Sequence, residues 1–175
     1  MVPSLEARAY VAPKLPFGTA TLGLSGHYGR EHVSVGTTDI WAAVLDLNVT
    51  VAEKVTVKGE AFYGANLDGF SSNASICGPD PKQATPGRGG WLQIAYRPGK
   101  LGLMVGAGMD NPIAPSGVTF ANGTVTSNAA VYAAVTWTFA PKFVAGVEYD
   151  WLMTERVATP TRTAHYTNLS LQVGF

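Results

Sequence analysis

Apolar residues fall on every second position for most of this chain, and they do so up to its last residue. Counting back from the end, Phe175, Val173, Leu171 and Leu169 share one phase, and Gly174, Gln172, Ser170 and Asn168 share the other. A period of two is the pattern of a β-strand with one apolar and one polar face. It excludes a helical bundle at once, because no long segment carries helical periodicity.

Composition narrows the class. Apolar residues make up 46% of the 175 and charged residues only 14%, against about 25% charged in ordinary globular domains. Part of the surface is therefore not designed for water. No apolar run approaches the roughly 18 residues of a membrane helix, so the remaining way to cross a bilayer is a closed barrel of alternating strands. Twelve basic and twelve acidic residues cancel, and no charge excess points to nucleic acid. The single cysteine, Cys77, excludes an intrachain disulfide and a multi-cysteine zinc cluster. No cofactor is expected.

Nine strands are expected, at roughly 5–12, 19–29, 39–51, 55–67, 90–97, 100–109, 127–139, 143–154 and 162–175. The connections alternate. Short ones fall at 13–18, 52–54, 98–99 and 140–142, and long ones at 29–38, 67–90, 110–127 and 154–162. Short turns on one side and long loops on the other is the arrangement of a transmembrane barrel, with the short turns periplasmic.

Alternation also assigns faces. Leu45, Leu47, Val57, Ile94, Val105, Val135 and Val147 fall on the apolar face, and Asp46, Asn48, Lys58, Glu60, Gln93, Asp110, Glu148, Asp150 and Asn168 on the other. Turn lengths predict Val51 opposite Val55, Tyr96 opposite Leu101, Phe139 opposite Phe143, Tyr132 opposite Asp150 and Asp46 opposite Glu60. That last pair of like charges needs a bridging cation, for which Lys58 is placed. Aromatics of the apolar face avoid the strand middles. Tyr96, Trp137, Phe139, Phe143 and Phe175 sit near the short turns, and Tyr28, Trp41, Tyr63, Tyr149 and Trp151 near the long loops. Two aromatic girdles around an aliphatic band are what a bilayer selects. A soluble sandwich or lipocalin-like barrel, with the apolar face inward, gives no reason for that sorting.

The segments Val57 to Gly64, Gly89 to Pro112 and Leu169 to Phe175 resemble the C-terminal half of Gram-negative outer-membrane porins. The resemblance implies an all-β, antiparallel meander barrel, a single domain over residues 1–175 forming part of a barrel of about 16–18 strands. It implies passive diffusion of small hydrophilic solutes or ions, localisation in the bacterial outer membrane among lipid and lipopolysaccharide, and a homotrimer. It also implies that the barrel-assembly machinery reads Leu169, Leu171, Val173 and Phe175. Bacterial barrels have an even strand number and both ends in the periplasm. Nine strands place the first residue outside the cell, and no secretion signal precedes it. Both point to the C-terminal portion of a longer protein. The alternative is an eight-stranded anchor or adhesin with residues 1–17 as a plug or tail.

Candidate pore-lining charges are Glu6, Arg8, Asp46, Lys58, Glu60, Arg97, Glu148 and Asp150. The loop 67–90, with Asp68, Asp80, Lys82 and Arg88, is the candidate for narrowing the lumen. His165-Tyr166-Thr167 is similar to the His-x-Ser motif of outer-membrane lipid hydrolases. Threonine replaces the serine, and no following strand supplies an acidic orienter, so no enzyme activity is expected.

Overall fold

The computed structural model describes residues 4–33, 36–67 and 85–174. They form one antiparallel meander sheet. Its strands are β1 (Leu5–Val11), β2 (Lys14–Leu15), β3 (Gly18–Val33), β4 (Gly36–Val51), β5 (Val55–Ala65), β6 (Pro86–Tyr96), β7 (Leu101–Pro112), β8 (Val125–Ala140), β9 (Phe143–Arg156) and β10 (Thr159–Val173). The nine expected strands are all present. β2 is the continuation of β1 beyond Pro13, since both pair with β3 in one register. Proline has no N–H to give to the ladder, so it interrupts the strand without redirecting it.

Sequence neighbours are sheet neighbours throughout, and β1 and β10 stand at the two ends, not paired with each other. The sheet is thus an open wall. β1 is exposed along its whole length, and β10 at all but one position.

Two expected long loops are paired strand instead. The ladder between β3 and β4 runs out to Val33 opposite Gly36, so the 29–38 connection reduces to a hairpin tip. The 154–162 connection is a tight turn at Val157-Ala158, with Thr159 opposite Arg156. Polar residues read as loop because the apolar alternation stops there, whereas the backbone pairing runs on beyond it. A crossing needs about 9–11 residues, and β3, β4 and β8 each have 16.

Register follows the sequence reading with two corrections. Val51 pairs with Val55, Asp46 with Glu60, Tyr132 with Asp150 and Asn168 with Glu148. Tyr96, however, pairs with Leu103 rather than Leu101, because Arg97 to Lys100 form a wider turn with Gly99 at φ +69°. The slip is two residues, so both side chains stay on the expected face. A bulge between Thr138 and Ala140 sets Ala140 opposite Phe143. The Phe139 and Phe143 rings still meet, with centroids 5.7 Å apart.

The apolar face points outward. Leu45, Val105, Met109, Val135 and Val147 are all exposed, between 42% and 55%. On the other face Ala42, Ala95, Asp110 and Ala134 are buried, and that face encloses the cavities, one of which is lined by residues from Ala42 on β4 to Tyr132 on β8. The sheet therefore curls round its polar side. This is the reverse of a soluble barrel, which hides its apolar residues. The aromatics lie at the two ends as expected. Trp137, Phe139 and Phe143 cluster by the Pro141-Lys142 turn. Trp41 packs edge-on against Tyr63 at the opposite end.

Candidate functional site

The polar face is where chemistry can occur, and its charges are paired across strands. Arg8 of β1 reaches over β3 to Asp46 of β4, with Nη2 2.6 Å from Oδ1 and Nε 3.1 Å from Oδ2. Gly23, on the strand between, makes room. A Cβ there would meet both the Asp46 carboxylate and the Arg8 guanidinium. The guanidinium also lies 5.4 Å over the Tyr10 ring. Arg8 is therefore the cation that relieves the Asp46–Glu60 pair, in place of the expected Lys58. A planar fork binds a carboxylate through two parallel bonds, which a lysine cannot do. Beside it His27 Nδ1 lies 3.1 Å from Glu6 Oε1.

At the other edge the amide of Asn168 donates to both Glu148, at 3.3 Å, and Asp150, at 3.0 Å. One neutral side chain thus bridges the two acids. Tyr132, in register with Asp150, turns its hydroxyl the other way and donates to Gln93 at 2.8 Å. Lys58 and Glu60 share with Arg8 and Asp46 the lining of a second cavity. Arg97 lies just past the end of β6, exposed at the rim, with its stem beside Gly102. The eight candidate lining charges thus fall in four sets: Glu6 with His27; Arg8, Asp46, Lys58 and Glu60; Glu148 and Asp150; and Arg97 apart.

Alternation alone left three further residues of this face unassigned to a site. Phe62 lies across Gly89 of the next strand, Trp91 follows on β6, and Asp110 is 8% exposed on β7. They were legible in principle, because each sits in polar phase with its strand. Leu67, 1% exposed, covers Phe62, Val44 and Ala42 on the same face. Next to it Asn66, with φ +55°, anchors the start of the loop. Its side chain donates to Thr38 Oγ1 and to the Asp39 carbonyl and accepts from the Thr85 amide. Of that loop, Cys77, Asp68, Asp80 and Lys82 lie outside the described residues, and Arg88 is on β6 in outward phase. Phe175 also lies outside them, while Leu169 and Leu171 are exposed on the apolar face of β10.

His165 meets a phenol rather than a nucleophile–acid pair. The Tyr149 hydroxyl is 2.6 Å from its Nδ1, on the outward face. Among the described residues no group of three or more His, Cys, Asp or Glu could hold a metal ion.

A curved antiparallel wall, apolar outside and polar within, is the architecture of an outer-membrane channel. The chain superposes on one, the outer membrane channel DcaP of Acinetobacter baumannii, with a TM-score of 0.79 and 13% sequence identity. The match covers 99% of this chain and 51% of that one, so the chain spans about half the length of its structural neighbour. No family model and no curated protein matches the sequence.

Proposed function

We propose that the chain is the C-terminal part of an outer-membrane porin, in which it forms about half the wall of a water-filled barrel of about 16–18 strands. Small hydrophilic solutes or ions diffuse down their gradient through the lumen. Their preference is set by pore width and by Arg8, Asp46, Lys58, Glu60, Arg97, Glu148 and Asp150. The carrying observation is the open wall itself. Its outward face is apolar, its inner face is polar and paired across strands, and both edge strands keep free backbone groups that call for further strands. The outward face is suited to lipid and lipopolysaccharide. Leu169, Leu171, Val173 and Phe175 are the residues that the assembly machinery reads, and a homotrimer follows the porin pattern.

Planar-bilayer conductance tests the reading, with the full gene product and this chain refolded side by side. Stepwise openings from the full product alone are expected. Openings from this chain alone would make it a complete small pore. Silence from both, with folded barrels visible on a gel, would leave an anchor or adhesin.

A further inference from the structure

The cavity on the inner face of β4 to β8, about 430 Å³, has three features that water-lined wall does not need. Its first is aromatic. Phe62 leans from β5 across Gly89, and Tyr132 leans from β8 across Gly106. The two rings thus close in on β6 and β7 from opposite sides, with Trp91 between them on β6. Rings laid over glycines are common packing in sheets, yet here they leave an open space between them. The second is charge. Glu60 and Asp110 line the cavity, and among the described residues no lysine or arginine does. The third is an unmet bond. Asp110 is 8% exposed, and its Oδ2 is buried with no hydrogen-bond partner among the described residues. Buried carboxylate oxygens are normally satisfied, and one left unmet on a residue that lines a cavity asks for a donor.

We infer that this cavity binds a small organic cation, a primary ammonium on a short apolar or aromatic body. The ammonium donates to Asp110 Oδ2, with Glu60 as the second counter-charge, and the body lies against Phe62, Trp91 and Tyr132. Carboxylate and aromatic faces attract the same ligand charge, since a ring presents its negative face to a cation. An anion finds no positive partner there. A neutral alcohol satisfies the hydrogen bond but not the charge. The inference rests on the channel reading only in that the ligand reaches the cavity through water on the polar face.

The test is calorimetric titration of the refolded full gene product in detergent with phenethylammonium, 2-phenylethanol and 3-phenylpropionate, which share a body and differ in charge. Saturable binding of the ammonium is expected, at least about tenfold tighter than either other probe. Asp110→Asn should weaken it by about tenfold or more, the usual effect of losing a charge-assisted hydrogen bond. Trp91→Leu should weaken it independently, which keeps the test open if the Asp110 variant does not fold. Glu155→Gln, outside the cavity, should leave it unchanged. Absence of saturable binding, equal binding of the alcohol, or full binding by both cavity variants would overturn the inference. Conductance plays no part in this measurement. Binding without conductance would remove the channel reading alone, and conductance without binding would remove the cation site alone.

Discussion

Gly23 shows how one missing side chain organises a wall. Because it has no Cβ, Arg8 and Asp46 clasp each other over β3, and the nearest acidic pair is partly neutralised. Exposed pairs contribute little stability, so the weight of this one falls on the electrostatic field of the polar face. Arg8→Ala should move the reversal potential of the assembled channel in a KCl gradient towards cation preference, and Asp46→Asn towards anion preference. Equal reversal potentials in both variants would show that the pair does not face the conducting path. Asn66 is the other decisive residue. It adopts a left-handed backbone that asparagine tolerates, and it ties the start of the long loop to β4 and to Thr85. Replacing it with alanine removes three hydrogen bonds and leaves buried groups unmet. A loss of about 2–3 kcal/mol is expected in urea titrations of the folded barrel.

The strand is the unit on which membrane and water are told apart. Phe143 and Trp151 bracket β9 with roughly 26 Å of strand at about 3.3 Å per residue, enough for a tilted crossing. Val147 lies between them, outward, and Gln172 of β10 lies on the polar side. Val147→Arg should cost about 2–4 kcal/mol, the effect of a basic residue on the lipid face near mid-bilayer. Gln172→Arg should cost close to nothing. Similar losses for both would reverse the face assignment. Beyond the girdle, the outer end of the β3–β4 hairpin is held by Arg30 Nε on Asp39 Oδ1 at 2.7 Å, with the Tyr28 hydroxyl at 3.2 Å from the same oxygen. The bond from Arg30, opposed by some desolvation, holds the Asp39 carboxyl below its ordinary value of 3.8. A lowered carboxylate pKa contributes stability above the unfolded value and loses it as pH falls through the folded one. Amide protection factors around Asp39 should therefore fall below about pH 3.8, and the Arg30→Ala hairpin should lack that step.

At the scale of the whole molecule, the open sheet with two exposed edges is the central fact. Long unpaired strands pair with other chains or aggregate. This chain alone should give mostly heat-insensitive aggregate on a gel, and under the porin proposal the full gene product should give a heat-modifiable barrel. A monodisperse folded species from this chain alone would require β1 and β10 to close on each other.

Alternation alone settled the class of fold, the number of full strands and the face of nearly every residue. A bilayer imposes its demand on each position separately: apolar where lipid touches, polar where water does. That demand is local, so it is written in order along the chain. Strand ends above the membrane were not legible, because there both faces meet water and pairing leaves no apolar trace, as at Val33–Gly36 and Thr159–Arg156. Partners on the polar face that skip a strand were beyond reach for another reason. Arg8 finds Asp46 across an intervening strand. The Phe62, Trp91, Tyr132 and Asp110 cluster draws on four strands. Such contacts depend on curvature and on which glycines lie between, and only the folded sheet decides those.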